Sequence, residues 1–173
     1  MLKWIGATMI LFAGTAYGFV QASRYARRPR ELRHLAAALT TLESEIVYGV
    51  SPLPDAIARV ATTVPPPVSD LFVEAARRLG DRNAERTAAD CWTEAIEDVW
   101  PRTALKEAEK SSLLSLAPTL GLTDRDDQAK HLRLVVSQLR TEEESAREEQ
   151  ARYGSMWKSL GALSAALVVI LMY

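Results

Sequence analysis

Two histidines, a single cysteine and a short run of aspartates are the residues from which this 173-residue chain could build a reactive site. His34 and His131 have no second ligand at helical spacing. Neither sits in an HExxH, and Cys91 is close to neither in sequence, so no zinc site is spelled out. Standing alone, Cys91 permits no internal disulfide and no CxxC knuckle. Asp124, Asp126 and Asp127 begin like a calcium loop, which requires a glycine at its sixth position and a bidentate glutamate at its twelfth. Ala129 and Val135 occupy those places. The chain has no GxxxxGK[ST] or GxGxxG to cradle a nucleotide phosphate and no GxSxG elbow to present a serine nucleophile. The sequence therefore predicts no catalytic residue, no metal site, no cofactor and no small-molecule substrate. Lys and Arg total 21 against 22 Asp and Glu, a balance that gives no general electrostatic reason to bind nucleic acid.

Without such a site, the distribution of apolar residues carries the information. From Trp4 to Val20 the chain reads WIGATMILFAGTAYGFV, an uncharged run that a helix rising about 1.5 Å per residue stretches over roughly 25 Å. From Trp157 to Tyr173 it reads WKSLGALSAALVVILMY, whose one charge, Lys158, stands near an edge from which a lysine reaches the headgroups. A cleavable signal peptide is the alternative for the first run, because Lys3 precedes it and small residues surround Val20-Gln21-Ala22. Against that stand Arg24, Arg27, Arg28, Arg30 and Arg33, since a cluster of cations resists translocation. A buried core helix is the alternative for the second, but the run has no polar face. The expectation is a double-pass protein: residues 1–21 an anchor, 22–156 a cytoplasmic domain and 157–173 a second anchor, in contact with membrane lipid. Gly14-xxx-Gly18 and Gly161-xxx-Ala165 could let spans approach closely, within one chain or between copies of a homo-oligomer.

The middle is expected to be all-α, a cytoplasmic antiparallel bundle of about six helices flanked by the two transmembrane helices. Leu32, Leu35, Leu39, Leu42 and Ile46 alternate steps of three and four in a helix over 30–48, opened by Pro29 and closed by Gly49. A second helix follows Ser51, with Pro52 and Pro54 in its first turn and Ile57, Val60 and Ala61 inward. After Pro65-Pro66-Pro67, residues 68–79 place Val68, Leu71, Phe72, Ala75 and Leu79 on one face. Residues 86–99 turn Cys91, Trp92, Ala95, Ile96 and Val99 inward before Pro101. Leu105 to Ala117 forms a short fifth helix. From Thr123, a good N-cap, one helix runs into the last apolar segment, about 72 Å in all, with Leu132, Val135, Val136, Leu139 and Ala146 on its inner line. No segment alternates with the period of a strand.

If the first and last helices leave the bilayer side by side, alignment of Val20 with Trp157 fixes their antiparallel register. It sets Arg28 near Glu149, Arg33 near Glu144, Leu39 near Leu139, Leu42 near Val135 and Ile46 near Leu132. A basic stretch then lies beside an acidic one, and two apolar seams meet beyond them. As exposed ion pairs, worth about 0–1 kcal/mol each, the charges orient a stalk, whereas the leucines hold the fold.

Several strings in this order resemble the stage III sporulation protein AB family of endospore-forming bacteria. They are Lys3–Gly14 (KWIGATMILFAG), Arg28–Leu32 (RPREL), Leu42–Gly49 (LESEIVYG) followed by Pro52-Leu53-Pro54, Trp100–Leu105 (WPRTAL), Leu120–Gln128 (LGLTDRDDQ) and Glu148-Glu149-Gln150. The resemblance implies a component of a channel or secretion-like apparatus between mother cell and forespore, anchored in the engulfing or outer forespore membrane. Members of the family are similar to the F-type platform proteins of type II secretion and type IV pilus systems. By that likeness the partners are other components of the complex and a secretion-type ATPase, stage III sporulation protein AA. Candidate partner-binding residues are the charged positions expected far from the bilayer: Asp55, Arg59, Arg77, Arg78, Asp124, Arg125, Asp126 and Asp127. The function expected is a non-enzymatic platform or adaptor. The alternative is a membrane-bound regulatory or signalling protein, whose very short outer ends argue against an external ligand. A lipid-surface enzyme would need the nucleophile or metal constellation that the sequence lacks.

Overall fold

A computed structural model describes the backbone of residues 26–49, 51–81, 86–121 and 124–172, and side chains as far as Tyr153. The described residues form an all-α fold of six α-helices without strands: α1 (26–48), α2 (Leu53–Ala61), α3 (Val68–Gly80), α4 (Ala88–Val99), α5 (Glu107–Leu114) and α6 (Arg125–Met172). Short 3-10 turns at Trp100–Arg102 and Ala117–Thr119 follow α4 and α5.

The alternating leucines of α1 do what their spacing dictates. Leu32, Leu35, Leu39 and Leu42 are fully buried and share one core with Leu132, Val135 and Leu139 of α6. At roughly 1.5–3 kcal/mol per buried aliphatic side chain, this seam is a main source of cohesion. The helix is already formed at residue 26, so Pro29 lies inside it instead of opening it. Gly49 ends α1 where a side chain has no room, since a Cβ there would stand 2.1 Å from the Glu45 carbonyl oxygen.

α3, α4 and α5 meet around Trp92. Its ring is fully buried, packs edge-on against Phe72 with centroids 5.9 Å apart, and donates its indole N–H to the Leu113 carbonyl at 2.9 Å. One side chain thus joins three helices and leaves no indole N–H unpaired in the core. α4 begins two residues later than expected because Thr87 and Asp90 form a capping box: Thr87 Oγ1 accepts from the Asp90 amide, and the Asp90 carboxylate accepts from the Thr87 amide. The Thr87 hydroxyl, which donates to the Asp90 carboxylate at 2.7 Å, and then the Thr87 amide lower the Asp90 carboxyl pKa. α5 is shorter than the expected 105–117. The Glu109 carboxylate accepts the Lys106 amide and fixes its start, and beyond Leu114 the chain passes through Ser115 and Leu116 into the separate 3-10 turn Ala117–Thr119. Gly121, at φ +86°, turns the chain toward α6 in the left-handed region that glycine tolerates best.

α6 is continuous over 48 residues, about 72 Å. Leu132, Val135, Val136, Leu139 and Ala146 are buried along its inner line. Three ion pairs between α1 and α6 fall within one residue of the expected antiparallel register, and Arg28 also reaches Glu142, two turns back along α6. Arg28 meets Glu149 at 3.3 Å, Arg33 meets Glu143 (not Glu144) at 3.8 Å, and Arg133 meets Glu43 at 2.6 Å. Among the described residues, no helix is long and apolar enough to cross a membrane. The expected anchor over 1–21 and the Thr123 cap lie outside the described residues, as do the side chains of 157–173.

Candidate functional site

The α1–α6 pairing ends in a buried charge cluster that the sequence pattern did not reveal. Arg28 is 6% exposed, far from the solvated stalk position expected of it. Its guanidinium donates from Nε to Glu109 Oε1 at 3.0 Å and from a terminal nitrogen to the same carboxylate. It also donates to Glu142 at 2.9 Å and Glu149 at 3.3 Å. Lys106 adds a bond to Glu149 at 3.1 Å. Glu109 is 1% exposed, and its carboxylate serves both Arg28 and the Lys106 amide. One planar cation therefore joins α1, α5 and α6, which suits arginine because its fork presents several fixed donors. No polar side-chain atom buried among the described residues lacks a partner, the condition under which a buried ion pair avoids a large desolvation penalty.

Beside this cluster, a cleft of about 360 Å³ opens between the start of α1 and the segment joining α4 to α5, lined by Arg27, Glu31, Pro101, Arg102, Thr103 and Leu105 among others. Glu31, buried along this lining, accepts the Ala104 amide at 2.6 Å. Burial pushes the Glu31 carboxyl above the ordinary carboxylate range, while the Ala104 hydrogen bond and then the charge of Arg27 pull it back.

The eight positions singled out from the sequence do not form one patch. Arg59 pairs with Glu45 of α1 at 2.5 Å, and Asp55 is exposed one turn earlier on α2. Arg125 donates to the Gly49 carbonyl at 3.4 Å, joining the start of α6 to the end of α1. Asp124, Asp126 and Asp127 are exposed around it, and Asp127 pairs with Lys130 at 3.0 Å. Arg77 and Arg78 belong to a different feature. Both hydrogen-bond Glu74, and Arg78 reaches Glu94 and Asp98 of α4. The Arg78 side chain is only 13% exposed, which corrects its expected place on an open surface. The Arg77 hydrogen bond, outweighing desolvation and aided by Arg78, lowers the Glu74 pKa to about 2. His34 and His131 lie on different helices, and among the described residues no group of three or more His, Cys, Asp or Glu could hold a metal ion.

Fold and charge placement together define an all-α bundle in which several arginines, Arg28, Arg59, Arg78 and Arg133 among them, tie one helix to another. A model of the family described as stage III sporulation protein AB matches residues 3–173. Over 172 residues the chain is 39% identical to Stage III sporulation protein AB of Bacillus subtilis (strain 168), an alignment that covers 99% of each. A solved structure of Stage III sporulation protein AB (SpoIIIAB) is similar with a TM-score of 0.67 and 36% identity, covering 73% of this chain and 98% of that one. The chain belongs to the stage III sporulation protein AB family, and this membership supports a role in sporulation.

Proposed function

We propose that the protein is a non-enzymatic platform of a mother cell–forespore channel or secretion-like complex, held against the cytoplasmic side of a membrane by residues 1–21 and 157–173. The observation that carries the membrane part is the Arg28–Glu149 contact. It brings the beginning of α1 beside the stretch of α6 that leads to Met172, so α1 begins at the end of the bundle from which α6 continues. A hairpin through a bilayer requires that arrangement. Arginines after the first segment orient the domain toward the cytosol. The opposite end, with Asp55, Arg59 and Asp124–Asp127, is the surface offered to a secretion-type ATPase, stage III sporulation protein AA, and to other members of the complex.

Two measurements test this. Cysteines placed singly at residues 2, 83 and 173, in a chain whose buried Cys91 is replaced by Ala, are treated with an impermeant thiol label in intact cells. Labelling at 2 and 173 but not at 83 is expected, and labelling at 83 overturns the topology. Crosslinking and co-purification from sporulating membranes are expected to retain the ATPase and to lose it when Asp124, Asp126 and Asp127 are changed together to Asn. Retention by the triple variant moves the docking surface elsewhere. Failure of the unaltered protein to capture the ATPase removes the platform role.

A further inference from the structure

The geometry points to the cleft between the start of α1 and the α4–α5 segment as a receptor for the phosphate of an anionic phospholipid headgroup. Adjacent arginines of α1 have opposite fates. Arg28 is buried against three carboxylates, whereas Arg27 is exposed in the cleft and has no ion-pair partner among the described residues. Across the cleft, Arg102 is 63% exposed and makes one long contact, 3.7 Å, with Asp70. Glu31 also lines the cleft, but its carboxylate is buried, 6% exposed, and accepts the Ala104 amide at 2.6 Å, so the exposed charges of the cleft are the two guanidinium groups. Two forks facing one space suit the tetrahedral oxygens of a phosphate, which arginine binds bidentately. Pro101 and Leu105 give the same cleft apolar walls for the glycerol carbons, and its volume of about 360 Å³ lies within the usual range for small-ligand sites, roughly 300–1,000 Å³.

The choice of a lipid as the source rests on the membrane placement proposed above. Arg27 follows Val20, the last residue of the apolar run, by seven positions, a length of chain no greater than about 25 Å even when fully extended. The headgroup layer extends roughly 5–8 Å beyond the hydrocarbon, so the cleft belongs to the part of the domain nearest to it. Bound there, a headgroup would fix the tilt of the bundle at the end where α1, α5 and α6 are tied together.

The test uses the full chain in neutral detergent, titrated separately with dihexanoyl phosphatidylglycerol, dihexanoyl phosphatidylcholine and inorganic phosphate while amide hydrogen exchange over residues 103–106 is followed. Phosphatidylglycerol is expected to slow exchange, and phosphatidylcholine to have no effect. The R27Q/R102Q variant should raise the half-saturating phosphatidylglycerol concentration about 25-fold, at roughly fivefold for each arginine lost. Arg30→Gln, which removes a neighbouring exposed charge outside the cleft, should retain the response. An equal response to inorganic phosphate overturns the lipid assignment, and an unchanged response in the double variant, or no response in the unaltered chain, overturns the site. Flotation of the same proteins with phosphatidylglycerol vesicles separates the two proposals. Unaltered chain that floats but shows no cleft response sinks only the receptor, whereas chain that fails to float sinks the membrane placement on which the lipid source depends.

Discussion

Leu39, Leu42 and Ile46 of α1 share a core with Leu132, Val135 and Leu139 of α6, while a few turns away the same two helices meet through Arg28, Glu142 and Glu149. The apolar region gains free energy from each methylene removed from water and tolerates small shifts in position. The charged region gains little net energy, because desolvating the ions offsets most of their attraction, but it penalises any arrangement that leaves one of them unpaired. Burial of Glu109, 1% exposed, turns what would be a solvated stripe into a lock on the position of α5. One region therefore supplies stability, and the other specifies how three helices meet.

That contrast is most exposed to disproof at Arg28. Arg28→Met leaves Glu109 buried without its cation and is expected to lower unfolding stability by about 3–5 kcal/mol, read from urea denaturation of the full chain in detergent by far-UV circular dichroism. Replacing both partners, as R28M/E109L, should recover most of the loss, and a double variant as unstable as the single would show that the pair contributes stability directly. Leu42→Ala in the apolar region should cost about 2–5 kcal/mol in the same measurement, with no second substitution able to rescue it by charge. A cost below about 1 kcal/mol would mean that the seam is not the source of cohesion.

The Arg77–Glu74–Arg78 group offers a more accessible version of charge pairing. The Glu74 pKa is lowered from 4.5 to about 2, so between those values the unfolded chain holds the proton that native Glu74 refuses. The stability this group supplies is present above about 4.5 and lost as pH falls through about 2. Glu74→Gln should flatten the acid side of the stability profile, and an unchanged slope would assign the acid response to other carboxylates. The smallest effect is expected at the Arg33–Glu143 contact, 3.8 Å long, where the arginine is exposed and the buried glutamate keeps a closer partner in Arg147 at 2.6 Å. Arg33→Gln should change stability by less than about 1 kcal/mol, and a larger loss would extend the ordering role beyond the buried cluster.

Helix faces were legible in the sequence wherever apolar residues recur at three and four. That is why Val68, Leu71, Phe72 and Ala75 in α3, and Cys91, Trp92, Ala95, Ile96 and Val99 in α4, are buried as read. α5 was less legible. Its sequence, EAEKSSLL, has a weak apolar face, and one of its inward residues is the glutamate at 109. Arg78 was misread for a related reason: an arginine in the last turn of a helix looks solvated until Glu94 and Asp98 of the next helix are brought beside it. Of the eight candidate partner positions, the exposed aspartates could be placed from helix polarity, but the ties made by Arg59 and Arg125 depend on α1 lying next to both α2 and α6.

By itself the sequence determined which segments become helices, which stripe of each is buried, and the register of α1 against α6, because 3.6-residue periodicity is local and two antiparallel helices with matched seams have few ways to align. Tertiary structure alone decided that Arg28 is buried and that Glu109 meets it from 81 positions away. Whether a charge is solvated or enclosed depends on what other parts of the chain pack over it, and neither its residue type nor its neighbours in sequence carry that information.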